Sequence, residues 1–340
     1  YEMLVNWKVY IAAAYLVVGT ALSAVLLRFK PARKTRLIGA AAAVLLSAVS
    51  YLTLYSSEKL YGKTEADYAI NVWSNTEKSI AKGFTYPFIY NFQDFASKPP
   101  KGYNPATAAA LLGGYADEDI PDDRKVSIVS VMLESYADLS TLGVLDFKED
   151  VYGPFHALEA ESVHGSLVVN TFAGGTINSE RSYLTGYSRL NDCQMPTNSY
   201  VWYLKQQGYV TEGCHTGYEW YYDRDRINEN LGFDTYCFLE DLETDDRTDE
   251  FFFSKVREMF DKRDKSAPYF GYSLSFQNHG PYDSETTCST QYIEQGSLSD
   301  GAYCILNNYL SGIADTTECL ADFIGHFRDL DEPVVVVLFG

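Results

Sequence analysis

Two long apolar runs dominate the start of the chain. Residues 9–27 (VYIAAAYLVVGTALSAVLL) carry no charge, and residues 37–57 (LIGAAAAVLLSAVSYLTLYSS) form a second such run. Each run is long enough to cross the hydrocarbon core of a bilayer as a helix. The segment between them, RFKPARKTR, holds five basic residues, and short basic loops of this kind lie on the cytoplasmic side. We therefore predict two transmembrane helices over residues 1–57. A pair of buried helices in a soluble protein is the alternative.

The pattern of polar and apolar positions changes twice after these runs. Residues 58–124 mix helical periodicity with an aromatic patch at 84–92 and a break rich in Pro and Gly, before a short helix that Asn104 or Thr107 is placed to cap. We interpret this segment as a juxtamembrane helical connector. Residues 125–340 then alternate short apolar runs with amphipathic stretches. This alternation predicts an α/β fold with a mostly parallel sheet flanked by helices.

Apolar runs of strand length recur through this last segment. Runs that are apolar throughout are typical of strands buried on both faces of a parallel sheet. The helices between them follow from 3.6-residue periodicity, which is clearest in FFFSKVREMFDKRD and in NNYLSGIADTTECLADFIGHFRDL. The predicted strands are VSIVSVMLES, VHGSLVV, YVTEGC, PYFGYSLSF and EPVVVVLFG.

The charge balance narrows the function classes. Residues 58–340 hold 21 Lys and Arg against 45 Asp and Glu, a formal charge near −24. This balance argues against a nucleic-acid partner, because nucleic-acid-binding proteins carry a basic stripe. An anionic leaflet also repels such an acidic domain. An anionic lipid head group therefore has to be captured by a local device such as a metal ion or a well-placed arginine.

Polar side chains follow the ends of several predicted strands. In parallel α/β sheets, ligands bind beyond the carboxyl ends of the strands. Three chemistries meet there in this sequence: a carboxylate, a hydroxyl placed after two glycines, and two histidines followed or preceded by aromatic residues. The residues that we select for the candidate site are Glu134, Thr176, His215, Tyr222, Arg224 and His279.

Thr176 follows two glycines in the stretch AGGTINSERSYLTG. A glycine pair allows a tight turn and a close approach of another group. A threonine in the first turn of a helix sits where backbone N–H groups converge and anions bind. Its hydroxyl can serve as a nucleophile when metal coordination generates the alkoxide. The alternative is that Thr176 only caps the helix.

Five separated motifs carry a resemblance to a known family. Together they resemble the lipoteichoic acid synthase family of membrane phosphoglycerol transferases, within the alkaline phosphatase and sulfatase-like superfamily. The similarity runs in order from about residue 83 to residue 340, and the pattern T-x-N-[ST]-E-x-x-x-L-T-G from Thr176 to Gly186 is the most specific part. The motifs are MLESYADLS, AGGTINSERSYLTG, SYVWYLKQQGY, CHTGYEWYYDRDRINENLGFD and FQNHGPY.

The resemblance implies a metal-assisted nucleophile. Thr176 corresponds to the family's nucleophilic threonine, and Glu134 corresponds to a carboxylate ligand of one divalent metal, Mn²⁺ or Mg²⁺, that the threonine also binds. The family pattern continues after the equivalent of Gly340 into an Asp-His pair that completes the metal site. We therefore expect that this sequence lacks its C-terminal part, and that Glu134 and Thr176 alone bind a metal weakly and leave this stretch inactive.

The remaining selected residues correspond to the family's substrate-binding positions. His215 and Arg224 match residues around the glycerophosphate group, and the planar fork of an arginine suits a phosphate. His279 matches a histidine near the phosphate that assists proton transfer. Two positions depart from the family: Tyr222 stands where tryptophan is frequent, and Arg181 stands where an aromatic residue is common.

The implied activity is transfer of glycerophosphate from phosphatidylglycerol to an extracytoplasmic polymer through a covalent threonine intermediate. The protein is expected in the bacterial cell membrane, multi-pass, with polyglycerolphosphate, a glycolipid or a glycan as acceptor. A phosphoethanolamine transferase or a sulfatase-like hydrolase is the alternative with the same fold, although Thr176 lacks the C/S-x-P-x-R context of sulfatases. A non-catalytic envelope protein that binds polymer or lipid is the alternative from another class.

All six cysteines lie between residues 193 and 319. An even count outside the cytoplasm permits disulfides, with 15 possible connectivities. Cys214 and Cys237 bracket the segment that holds His215 and Arg224, where a bridge would brace the substrate loop. Buried free thiols are the alternative.

Overall fold

The chain divides into two compact units, Tyr1–Ala116 and Asp117–Gly340. The second unit begins at the start of the acidic stretch DEDIPDD. The first predicted transmembrane run, residues 9–27, lies largely outside the described residues. Apart from a few isolated positions before residue 100, this computed structural model describes residues 32–62, 85–93, 102–115, 117–169, 175–187 and 193–340.

The first unit contains a helix that is long and apolar enough to cross a membrane. Helix α1 (Arg33–Ser50) continues into a π-helical turn at Tyr51–Tyr55. An 18-residue window within these 23 residues has a mean hydropathy of 2.0, and none of it is buried against protein. At 1.5 Å per residue the helix extends over about 34 Å, which matches the hydrocarbon thickness of a bilayer. It is the one such helix in the described part of the chain.

Short helices follow in the first unit. They are α2 (Glu58–Gly62), α3 (Thr85–Tyr90) and α4 (Pro105–Leu112). The side chain of Asn104 accepts hydrogen bonds from the backbone N–H groups of Ala106 and Thr107, so Asn104 is the N-cap of α4, one of the two caps predicted for it.

The second unit is built on a five-stranded parallel sheet with strand order β3-β2-β4-β1-β5. The predicted α/β fold is therefore confirmed. Four predicted strands are present, but residues 163–169 (VHGSLVV) are exposed and form no strand, and the short strand β3 was not predicted. The strands are β1 (Ser127–Met132), β2 (Val210–His215), β3 (Thr235–Cys237), β4 (Tyr269–Leu274) and β5 (Val334–Phe339).

Helices cover both faces of this sheet. Their bounds are α5 (Gly153–Glu159), α6 (Thr176–Thr185), α7 (Tyr200–Gln206), α8 (Arg224–Leu231), α9 (Asp249–Lys262) and α10 (Asp300–Arg328). Successive side chains of a strand point to opposite faces. In β1, Val129 and Val131 pack with α5, α9 and α10, whereas Met132 packs on the other face with α6, α7 and α8. Two apolar cores therefore cover the two faces of the sheet.

The carboxyl ends of the strands meet at one edge of the sheet. The ladder continues just past the strands, where the N–H of Leu133 donates to the carbonyl of Phe339 over 2.7 Å and the N–H of Ser275 donates to that of Met132 over 3.0 Å. The segments after β1, β4 and β5 consequently leave the sheet side by side. Because β2 neighbours β4, its last residue, His215, lies at the same edge.

Candidate active site

Thr176 and Glu134 meet at this edge. Thr176 is the first residue of α6, and its hydroxyl donates a hydrogen bond to Oε1 of Glu134 over 3.2 Å. The N-cap of α6 is Gly175, and no side chain caps this end. The interpretation of Thr176 as a helix cap is therefore wrong. Its hydroxyl lies in the first turn of the helix, where free N–H groups favour an anion.

Glu134 is held in place from both sides. Its backbone N–H donates to Oγ of Ser275 over 3.0 Å, and its Oε1 accepts from Oγ of Ser135 over 2.9 Å. Glu134 is buried, and Ser135 adopts a φ of 52°, a left-handed conformation that costs a residue other than glycine strain energy. This turn directs the carboxylate towards Thr176 immediately after β1.

His215 is a buried, neutral imidazole. Its Nδ1 lies 2.9 Å from the carbonyl of Leu274, which only accepts, so Nδ1 carries the proton and Nε2 is the free acceptor. Burial, and after it the charge of Arg224, lowers the pKa of His215 to about 3. A Cβ at Gly217 would lie 2.3 Å from Nε2, so only glycine lets the chain pass this close to the ring.

Arg224 is bound by a carboxylate that sequence reasoning did not select. Its Nε and Nη2 both donate to Oε2 of Glu180 over 3.0 Å, and both side chains are almost fully buried. The paired donors of the guanidinium are thus directed at Glu180, while Nη1 lies 3.5 Å from Nε2 of His215. Glu180 is four residues after Thr176 on α6, so one face of this helix carries both side chains. The four-residue spacing between Thr176 and Glu180 was the signal in the sequence from which Glu180 could have been selected.

The two residues that depart from the family pattern contact each other. Nη2 of Arg181 donates to the backbone carbonyl of Tyr222 over 3.1 Å. Tyr222 is 49% exposed with a φ of 58°, and its ring lies 5.4 Å from the guanidinium of Arg224. Tyr222 therefore lies beside the buried pair with its ring reaching solvent.

His279 lies on the loop after β4 and is exposed. Its ring stacks on Phe276 with centroids 5.1 Å apart and planes 4° apart, and Phe276 in turn contacts the ring of His215 at 5.8 Å. A cavity of 440 Å³ opens beside His279, lined also by Asn278 and Tyr282. Phe276 thus separates the two imidazoles, and the described residues show no direct contact between His279 and Thr176.

A second buried polar group, missed by the sequence analysis, anchors the loop of His279. Asp249, the first residue of α9, accepts a hydrogen bond from Oγ1 of Thr316 on α10 over 2.5 Å. Thr316 also accepts from Nδ2 of Asn278 over 2.9 Å, and the N–H of Asp249 donates to Oε1 of Gln277 over 2.7 Å. Burial raises the pKa of Asp249 to about 6.

The oxygen atoms at the site are suitable ligands for a hard divalent cation. The oxygen atoms of Glu134 and Thr176 converge within hydrogen-bond distance, and carboxylate and hydroxyl oxygens are the ligands that Mg²⁺ and Mn²⁺ prefer. Within the described residues, no cluster of three or more His, Cys, Asp and Glu side chains is placed to hold a metal. The described site therefore supplies two oxygen ligands.

All six cysteines are free thiols. Cys214 and Cys237 occupy paired positions on the adjacent strands β2 and β3, so the two residues that bracket the His215 segment are neighbours without a bridge. Their hydrogen bond raises the pKa of Cys214, which burial raises further, and lowers the pKa of Cys237.

The fold is that of an α/β protein of the alkaline phosphatase and sulfatase-like type, with the candidate site at the carboxyl edge of a parallel sheet. The chain belongs to the sulfatase family, whose model matches residues 127–340. The resemblance that the sequence motifs carry is confirmed at this level.

Two solved structures share the fold. A Streptococcus pyogenes phosphoglycerol transferase, GacH, in complex with sn-glycerol-1-phosphate aligns with a TM-score of 0.56 at 18% identity, covering 72% of this chain and 70% of that one. The lipoteichoic acid synthase LtaP from Listeria monocytogenes aligns with a TM-score of 0.50 at 18% identity, covering 68% of this chain and 61% of that one.

One curated relative spans nearly the whole chain. It is a Rhizobium meliloti (strain 1021) protein named for a predicted role in cyclic beta-1,2-glucan modification, and it is 23% identical over 98% of this chain. The match covers 55% of the relative, so the chain spans about half of its length.

Proposed function

We propose that this protein transfers glycerophosphate from phosphatidylglycerol to an extracytoplasmic acceptor, with Thr176 as the covalent nucleophile. The observation that carries the proposal is the hydrogen bond from the Thr176 hydroxyl to buried Glu134 at the amino end of α6. This geometry gives the hydroxyl a proton acceptor and gives the phosphate a set of free N–H groups. The fold shared with a phosphoglycerol transferase supports the same reaction class.

In the first step, Oγ1 of Thr176 attacks the phosphorus of the donor. The oxygen–phosphorus bond forms, and the bond from phosphorus to the diacylglycerol oxygen breaks. The hydroxyl proton leaves along the hydrogen bond to Glu134, and His279 donates a proton to the departing diacylglycerol oxygen.

In the second step, a hydroxyl of the acceptor attacks the phosphorus of the threonine adduct and gives its proton to His279. The bond between phosphorus and Oγ1 of Thr176 breaks, and this oxygen recovers the proton from Glu134. Arg224 donates to the phosphate through Nη1, and the unprotonated Nε2 of His215, which faces Nη1, accepts a hydrogen bond from a hydroxyl of the glycerol.

A divalent metal belongs to the same proposal. Glu134 and Thr176 would hold Mn²⁺ or Mg²⁺, which when bound would lower the pKa of the threonine hydroxyl and neutralise charge on the phosphate.

A glycan is the acceptor that we favour over polyglycerolphosphate or a glycolipid. The support is the relative named for cyclic beta-1,2-glucan modification, since it aligns with 98% of this chain.

The test is release of diacylglycerol by the full-length protein from vesicles of labelled phosphatidylglycerol in the presence of Mn²⁺. We expect Thr176→Ala to abolish release, because no hydroxyl remains to attack, whereas Thr176→Ser keeps part of the activity. Mass spectrometry of the wild-type protein should find a glycerophosphate adduct on residue 176.

Three outcomes would point elsewhere. Normal release by Thr176→Ala would exclude the nucleophile. Release from phosphatidylethanolamine vesicles instead would identify a phosphoethanolamine transferase. Binding of either lipid without any release, by wild-type protein, would identify a non-catalytic envelope protein.

A further inference from the structure

An exposed aromatic surface lies beside the candidate active site. Trp220 is 63% exposed and stacks on Tyr218, with ring centroids 5.6 Å apart and planes 15° apart. Tyr221 packs edge-on against Trp220 at 4.3 Å. These three residues form what we term the aromatic platform. A tryptophan with most of its surface in water is unusual in a folded domain, because its large apolar area is normally buried.

A stack of rings connects the platform to the candidate catalytic loop. The guanidinium of Arg247 lies 4.6 Å from the ring of Tyr218 and 4.8 Å from that of Phe276. Phe276 stacks on His279 at 5.1 Å. Trp220 is therefore not an isolated surface residue but the exposed end of a packed series that begins at His279. Because this packing already orders the ring of Trp220, binding of a ligand costs little additional side-chain entropy.

An acidic cavity of 320 Å³ shares Tyr218 as a wall with the platform. The loop that carries the platform is tied to this cavity, since the N–H of Leu239 donates to the carbonyl of Gly217 over 3.0 Å and the N–H of Glu219 donates to Oε2 of Glu240 over 3.2 Å. The carboxylates that line the cavity are Glu240, Glu243 and Asp245.

We propose that the aromatic platform and the acidic cavity together form the binding subsite of a neutral glycan acceptor. This inference rests on the proposed transferase function. The C–H face of a sugar ring carries small positive charges and packs on the negative face of an aromatic ring, and most of the surface of Trp220 is exposed to solvent. The hydroxyls of the next sugar donate hydrogen bonds to carboxylates, which only accept.

Charge argues against two other ligands of such a surface, a polyglycerolphosphate chain and a membrane leaflet. A polyglycerolphosphate chain carries one negative charge per unit, and three carboxylates beside Tyr218 would repel it. Exposed tryptophans also insert into membrane interfaces. The same carboxylates, on a segment whose formal charge is near −24, oppose contact with a leaflet of anionic phosphatidylglycerol. A neutral sugar is repelled neither by these carboxylates nor by the net charge of the segment.

The position of the platform suits an acceptor. Trp220 is five residues after His215, so the Cα atoms of the two residues lie at most about 18 Å apart. An oligosaccharide seated on the platform can extend over Arg247 and Phe276 towards His279, the residue proposed to accept its proton.

Calorimetric titration of the full-length protein with a linear β-1,2-glucan oligosaccharide tests the subsite, because it needs no donor and no turnover. We expect Trp220→Ala to weaken binding about tenfold, and Trp220→Phe, which keeps an aromatic face, to stay within about threefold of wild type. Equal affinities of wild type and Trp220→Ala would overturn the inference, provided that both variants show wild-type thermal unfolding.

Substitution of the carboxylates that line the acidic cavity should change the binding of two ligands in opposite directions. Glu243→Gln combined with Asp245→Asn should weaken binding of the glucan about tenfold, because a neutral amide oxygen accepts a hydroxyl more weakly than a carboxylate, and should strengthen binding of a polyglycerolphosphate chain, because the repulsion is lost. The control is Glu229→Gln, an exposed carboxylate in the last turn of α8, where neither ligand should respond. Tighter binding of polyglycerolphosphate than of glucan by the wild type would contradict a neutral acceptor.

Failure of this inference can be told apart from failure of the proposed function. If phosphatidylglycerol vesicles yield diacylglycerol but the glucan does not bind, the subsite is wrong and the transferase function stands. If the glucan binds through Trp220 but no diacylglycerol is released, the function is wrong and the subsite stands. Loss of vesicle binding rather than glucan binding in Trp220→Ala would identify a membrane contact instead.

Discussion

At the scale of single residues, the feature that matters most is the buried pair of Glu180 and Arg224. An arginine without a carboxylate partner would be an uncompensated charge in the apolar region between α6 and α8. The carboxylate that neutralises it is on the same helix as Thr176. The pair therefore fixes the distance between the candidate nucleophile and the candidate phosphate-binding group.

We expect Glu180→Gln to lower the free energy of unfolding by about 3 kcal/mol, because it leaves Arg224 charged and buried. Denaturant titration followed by circular dichroism measures this loss. The control is Glu229→Gln on α8, whose side chain is exposed and whose removal should change stability by less than about 0.5 kcal/mol. Adding Arg224→Met to Glu180→Gln should recover part of the loss. A double variant less stable than the single one would show that the charge is not the cause.

Sequence patterns predicted the positions of the site residues better than their contacts. Glu134 and His215 were placed at strand ends because apolar runs mark strands and parallel strands share one carboxyl edge. The partner of Arg224 could not be predicted, because it depends on how α6 and α8 pack on the sheet. The positive φ angles of Ser135 and Tyr222 could not be predicted from the sequence either, since neither residue type favours that conformation.

At the scale of the elements, glycines decide where strands and aromatic side chains can pack. A Cβ at Gly213, in the middle of β2, would lie 2.2 Å from the ring of Tyr236 and 2.3 Å from the carbonyl of Tyr272. The sequence does not reveal this requirement, because Gly213 looks like a weak point in an otherwise good strand. The strand predicted at residues 163–169 is absent for the converse reason: this stretch ends in the apolar run Leu167–Val169, but its apolar side chains are exposed and contact no core.

We expect Gly213→Ala to destabilise the second unit by about 2 kcal/mol, since β2 or the ring of Tyr236 must shift to admit the methyl group. Gly325→Ala is the matched control: Gly325 is in α10 with nothing near its added Cβ, so the same substitution should stabilise by about 0.5 to 1 kcal/mol. Thermal unfolding of both variants measures the difference. An unchanged melting temperature in Gly213→Ala would mean that the strand tolerates the side chain.

Asp249 connects three elements and predicts a pH dependence of stability. Its pKa is raised by burial to about 6 from an ordinary value of 3.8. The folded state therefore binds more protons than the unfolded state between these values, and Asp249 contributes stability as pH falls from about 6 towards 4. His215 has the opposite effect, because its lowered pKa removes stability as pH falls below 6.5.

Comparison of wild type with Asp249→Asn isolates the carboxyl group, since His215 acts equally in both. We expect wild type to gain up to about 3 kcal/mol over the variant between pH 7 and pH 4, the energy that corresponds to this pKa difference. Denaturant unfolding at pH 4, 5, 6 and 7 measures the gain. A constant difference across this range would mean that Asp249 titrates normally in the fold.

At the scale of the whole molecule, charge is distributed unevenly along the chain. Five basic residues lie between positions 28 and 36, three of them in the first turn of the apolar helix α1. The segment beyond residue 57 is strongly acidic. Basic residues retain a loop in the cytoplasm, whereas acidic residues contribute little to orientation. From this charge distribution we expect α1 to cross a membrane with its amino end inside.

The last prediction is this orientation. In a variant with all six native cysteines replaced by serine, we expect Ala32→Cys to resist a membrane-impermeant maleimide in intact cells and to react after permeabilisation, because the basic loop holds it inside. Tyr115→Cys, at an exposed position after α1, is the matched control and should react in intact cells. The proposed function requires this arrangement, because the proposed acceptor is extracytoplasmic. Labelling of residue 32 from outside would reverse the topology and remove the proposed acceptor with it.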